Sequence, residues 1–157
     1  MEEIRTFGNR FSFRMLKAWL SDKVMRREEH ELYAPFGVAL TGWEEPSIDE
    51  LVSLGSRYVD PHAALGENLL SPGKAVWLHR KGADGMVDIS PFSCMNGIFS
   101  ESIYPQVSRD LGGMPIRSFY FDGTQANLDE DVSIFMELAA HYAKGKQTRR
   151  TFPPYFG

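Results

Sequence analysis

Cys94 is the only cysteine in the sequence, and the residues around it are of types that do chemistry. The run Ser90-Pro91-Phe92-Ser93-Cys94-Met95-Asn96-Gly97 brings two hydroxyls, a thiol and a carboxamide close together. A thiol near a helix start is favoured as thiolate, the form that attacks carbon or binds metal. Ser90 and Asn96, with the backbone N–H groups of Asn96 and Gly97, suit an anion or a thioester carbonyl. Ser93, Asp122, Gln125 and Asn127 complete the polar set. A nucleophile needs a base, yet His62, His79 and His141 fall on other segments. A metal site needs three or four ligands, and one cysteine cannot supply them. The plain alternative is a small thiol packed under a loop. Neither G-x-x-x-x-G-K-[ST] nor G-x-G-x-x-G is present, which argues against those nucleotide-binding loops. Asp122-Gly123 suits a strand-ending turn better than a catalytic acid, and Glu28 to Glu31 is a solvated helix patch.

The elements that would position these residues are legible in order. Residues 11–33 lack Gly and Pro, and Phe13, Leu16, Leu20 and Val24 recur at helical spacing. Pro35 and Gly37 end that helix, and 36–40 is a short apolar run that could add a strand. Ser47-Ile48-Asp49-Glu50 is a capping box opening a helix to about Tyr58. Ser71-Pro72 reads as an N-cap with Pro at the first helical position, and Gly82 as the residue past the helix end. A strand over 86–89, a loop over 90–97, a helix over 98–111 and a strand over 116–121 follow. A last helix covers 128–144, and the basic tail after it reads as frayed. Strand, helix, strand, helix implies parallel strands joined by a right-handed crossover. Ligands in such sheets bind beyond the carboxyl ends of the strands, where 90–97 and 122–127 lie. Two strands are few for an independent sheet. The expectation is therefore a helix and connector (1–45) leading into an α/β domain (46–157) that belongs to a larger polypeptide or pairs with another subunit.

Bulk properties set bounds. A chain of 157 residues that is 43% hydrophobic and 24% charged suits one globular domain. A net charge of −4 gives no reason to expect nucleic acid or an anionic membrane as partner. No apolar run approaches the ~20 residues of a membrane span, and no secretory signal opens the sequence. A single cysteine agrees with a reducing compartment, so the expected location is cytoplasmic.

Six short segments carry a family resemblance. They are Tyr58-Val59-Asp60-Pro61-His62, Gly66-Glu67, Ser71-Pro72-Gly73-Lys74-Ala75, Gly82-Ala83-Asp84-Gly85, Ser90-Pro91-Phe92-Ser93-Cys94-Met95 and Tyr120-Phe121-Asp122-Gly123. In order and spacing this stretch resembles the C-terminal region of CoA-substrate-specific enzyme activases, the activators of (R)-2-hydroxyglutaryl-CoA dehydratase. These are relatives of the iron–sulfur 2-hydroxyacyl-CoA dehydratase subunits. The resemblance implies a Rossmann-like three-layer α/β/α fold with a short parallel sheet. It also implies a metal-binding protein with a [4Fe–4S] cluster, radical dehydration of an acyl-CoA and an ATP-driven electron donor, with Cys94 matching the last cluster cysteine. This chain departs in having no other cysteine, so any cluster would need thiolates from outside it, and the chain would not be active alone. The alternative expectation is a non-catalytic module that binds acyl-CoA or a partner, with Cys94 structural. Ser90, Ser93, Asn96, Asp122 and Gln125 are then the substrate-binding candidates and Cys94 the metal candidate.

Overall fold

The structure, a computed structural model, describes residues 13–37, 39, 42, 45–64, 67–123 and 128–151. Helix α1 spans Phe13–Tyr33 and is followed by a single 3-10 turn over Ala34–Phe36, with Pro35 near its start. Arg26 pairs with Asp22 at 2.9 Å and Arg27 with Glu31 at 3.0 Å, one helical turn apart. The expected apolar stripe is not buried. Leu16, Leu20 and Val24 are exposed, and so are Trp19, Met25 and Leu32. Phe36 belongs to the 3-10 turn instead of a strand, while Val38 and Leu40 lie outside the described residues.

Glu45–Thr151 forms one compact unit. Its first helix, α2, spans Ile48–Gly55, and the Ser47 hydroxyl accepts the Glu50 N–H at 3.2 Å as the capping box requires. It stops short of Tyr58, whose N–H turns back to the Gly55 carbonyl at 2.8 Å. Helix α3 spans Leu70–Arg80 and begins two residues before Pro72, the expected first helical position. Leu69 takes the N-cap position without a side-chain bond, so Ser71 and Pro72 sit inside the first turn, where a missing N–H costs nothing. Gly82, with φ +78°, ends this helix as expected. The two helices cross on glycines. A Cβ on Gly55 would lie 2.2 Å from the Leu69 carbonyl oxygen, and one on Gly73 would lie 2.2 Å from that of Leu51. Backbone meets backbone there, and no larger residue fits.

Strand β1 (Met86–Pro91), helix α4 (Met95–Asp110), strand β2 (Ile116–Phe121) and helix α5 (Leu128–Gly145) complete the unit. The strands pair in parallel, Met86 opposite Ile116 through Pro91 opposite Phe121. The Met86 N–H donates to the Pro115 carbonyl and the Phe92 N–H to that of Phe121, both at 2.9 Å. Alternate residues in a ladder face opposite edges, so even-numbered residues of β1 face β2 and Pro91 faces away. Its absent N–H therefore costs no ladder bond, and β1 runs two residues past the expected Ile89. Helix α4 likewise starts at Met95, three residues early, and the expected loop shrinks to Phe92-Ser93-Cys94. It continues through Pro105, which is exposed, and ends at Gly112-Gly113, both with positive φ.

The core lies where α3, β1 and α4 meet: Ala75, Met86, Tyr104, Val107, Leu111 and Met114 are buried together. Tyr104 donates its hydroxyl to Asp88 at 2.5 Å, tying α4 to β1. Tyr142 of α5 donates to the Leu111 carbonyl at 2.9 Å, and Arg117 of β2 pairs with Asp131 of α5 at 3.1 Å. The basic segment after α5 is anchored and not frayed. Lys146 pairs with Asp84 at 2.5 Å and donates to the Gly82 carbonyl, and the Thr151 N–H donates to the Lys81 carbonyl at 3.2 Å. The result is a mixed α/β unit, mostly helical, around a two-stranded parallel sheet. Among the described residues no helix is long and apolar enough to cross a membrane.

Replacing Gly73 by Ala is expected to lower stability by roughly 1–3 kcal/mol, the usual cost of overpacking. Urea unfolding followed by circular dichroism measures this. A loss no larger than that of an exposed Ala143→Gly control would show that the crossing does not depend on the glycines.

Candidate functional site

The connection from β1 to α4 places Cys94 as the N-cap residue of α4, half-buried beyond the carboxyl end of β1. Its N–H donates to the Pro91 carbonyl and its own carbonyl accepts from Ile98, both at 3.1 Å. The thiol makes no capping bond, and the first turn contains no acidic residue. The helix thus opens on the partial positive charge of its first N–H groups without a side-chain cap. Ser93 reaches this turn at φ +65°, the left-handed region that side chains other than Gly, Asn and Asp seldom occupy. Ser90 is buried at the end of β1 against Gly97: a Cβ there would meet the Ser90 Oγ at 2.4 Å and Tyr120 at 3.3 Å.

The sequence-stretch candidates Ser90, Ser93, Cys94 and Asn96 therefore do share one short turn. Ser90 is buried, Asn96 is half-buried and Ser93 is exposed. Asp122 is exposed just past β2, and Gln125 and Asn127 lie outside the described residues. Sequence reasoning missed Tyr120 and Glu101. Tyr120 is the register partner of Ser90, and its hydroxyl donates to Glu101 at 2.7 Å. Desolvation raises the Tyr120 pKa to about 12, helped by the Glu101 hydrogen bond and by charge on Glu101, Asp88 and Cys94. A signal existed: Gly97, Glu101 and Tyr104 recur at four and three residues, one face of α4 turned to the sheet. On the same face Tyr104 is also pushed up, first by burial and then by its hydrogen bond to Asp88.

The rim is acidic and apolar. Neither 82–108 nor 118–140 contains a Lys, Arg or His, while Asp88, Glu101 and Asp122 lie within these stretches. An anion at the α4 start would meet helix N–H groups but no basic side chain from these stretches. Around Cys94 stand Phe92, Met95, Ile98 and Phe99, all exposed, with 67% of Phe92 and 73% of Met95 open to solvent. The histidines are elsewhere. His62 follows α2, His141 is on α5, and His79 closes α3, where burial and then Lys146 lower its pKa. Among the described residues no group of three or more His, Cys, Asp or Glu could hold a metal ion. Cys94 could be at most one thiolate of a four-thiolate cluster.

Comparison with protein-family models, with curated proteins and with solved structures returns no match.

The Ser90–Gly97 contact gives a direct test of how tightly this rim is built. Gly97→Ala is expected to cost roughly 1–3 kcal/mol by forcing Ser90 aside. Adding Ser90→Gly removes the clashing atoms, so the double variant should be more stable than the sum of the single changes allows. Strict additivity in denaturant unfolding would mean that the two residues do not share this contact.

Proposed function

We propose that the chain is a non-catalytic binding and assembly module, whose short sheet and apolar rim are completed by another polypeptide. The observation that carries this reading is the apolar surface of the sheet and its rim. Val87 and Ile89 are exposed on β1, with 69% of Ile89 open, on the face opposite α4, and Phe92, Met95 and Ile98 are exposed in the turn and helix start that follow the strand. Exposed apolar side chains gathered on a sheet face and its rim suit an interaction site, and Met with Phe gives an adaptable contact surface. The acidic rim favours a protein surface over an acyl-CoA, whose phosphates call for basic partners. A Rossmann-like α/β/α arrangement with further strands supplied from outside agrees with the two-stranded sheet and its crossover.

A second reading is favoured by the placement of Cys94. A half-buried thiol at an uncapped helix start is positioned to contribute one thiolate to a [4Fe–4S] cluster shared with other segments, as in a 2-hydroxyacyl-CoA dehydratase activase-type protein. This chain would then present a ligand and turn nothing over alone.

Photo-crosslinking from a benzophenone amino acid at position 89, in the cell that makes the protein, is expected to give one discrete adduct. The same probe at the exposed position 137 should not, and equal diffuse labelling from both would sink the assembly reading. For the second reading, anaerobic iron–sulfur reconstitution of the complete native polypeptide should lose iron and visible absorption when Cys94 becomes Ala. Unchanged iron content would remove Cys94 from any cluster.

A further inference from the structure

We propose, resting on the assembly reading, that the outer edge of β2 is a strand-addition site for an extended segment of another polypeptide bearing a basic side chain opposite Glu101. A cleft of about 460 Å³ runs between α4 and α5, and its floor is the consecutive stretch Pro115–Ser118. Successive strand side chains point to opposite faces, so four neighbours can line one cleft only along the strand edge. The ladder fixes which groups lie there. Pro115 and Phe121 use their carbonyls toward β1, so odd-numbered residues of β2 face β1. Ile116, Ser118 and Tyr120 therefore direct N–H and carbonyl groups outward, and among the described residues no strand pairs with that edge.

Three observations identify the occupant. First, alternating donors and acceptors along an edge are matched by an extended backbone. Second, the Ser118 hydroxyl is buried in the cleft wall without a hydrogen-bond partner, an unmade bond that a bound segment can complete. Third, the charges are unbalanced: Arg117 is already paired with Asp131, while Glu101 brings a further carboxylate and only a Tyr120 hydroxyl to meet it. A Lys or Arg on the incoming segment supplies the counter-charge, whereas a second copy of this chain, with net charge −4, brings the same excess. Ile134 and Leu138 of α5, both exposed, form the apolar wall that takes its alternate side chains.

The test uses the full chain and a short fluorescein-labelled peptide alternating valine and lysine. Anisotropy is expected to show saturable binding, weakened about tenfold or more when alternate peptide nitrogens are methylated or lysines become glutamate. Glu101→Gln should weaken the lysine peptide alone. Bound peptide should slow amide exchange at Ile116 and Ser118 and leave Val87 and Ile89 unchanged. Equal binding of the methylated peptide, or unslowed exchange at Ile116 and Ser118, overturns the proposal. So does protection of these amides by concentration-dependent dimerisation without peptide, which would make a second copy the occupant. Absence of peptide binding while the position 89 adduct persists removes this edge site and leaves the assembly reading standing. Peptide binding without that adduct does the reverse.

Discussion

Everything near Cys94 depends on two strands running in the same direction. Parallel strands cannot be joined by a tight turn, so the chain must travel back along one face before it can pair again. The sixteen-residue α4 spans about 24 Å at 1.5 Å per residue, enough to return past a six-residue strand of about 20 Å. Its seating rests on two contacts of different kinds, one a hydrogen bond and one a close steric approach. Asp88 takes the Tyr104 hydroxyl in the middle of the helix, and Ser90 presses on the bare backbone of Gly97 at its start. The pivot between strand and helix is then three residues long, and the thiol has one place to be.

That pivot holds opposing tendencies. The uncapped helix start draws negative charge, while Glu101 and Asp88 already supply it and hold Tyr120 protonated. Apolar side chains surround the same spot and face water. A basic side chain would be the usual partner of a small anion at such a helix start. None is among the residues of this turn. What stands beside the turn is a set of polar groups fixed by their own hydrogen bonds, in keeping with the proposed assembly reading.

Much of the fold was legible because the sequence punctuates it. Pro115 and Asp122-Gly123 bracket β2, Ser47 and Glu50 open α2, and Gly82 closes α3, each through a local backbone rule. What escaped was non-local or permissive. Pro91 looked like a loop residue because proline breaks ladders, yet its nitrogen faces the side where no ladder exists. The N-cap of α4 is a cysteine, which offers no capping signal, so its first turn read as loop. The Tyr120–Glu101 bond joins residues 19 apart in sequence, and only the strand register brings them together. The Gly55–Gly73 crossing has no signature beyond two glycines within otherwise helical segments.

Pro91 also gives the sheet a direction. On the outer side of β1 the nitrogen of Pro91 has no hydrogen to offer, whereas every outward residue of β2 is a full donor and acceptor. The outer row of β1 thus lacks a donor at its last rung, while Val87 and Ile89 keep theirs, and the row on β2 is complete. On the proposed assembly reading, an incoming strand therefore finds its better-matched flank at β2, where no proline interrupts the row.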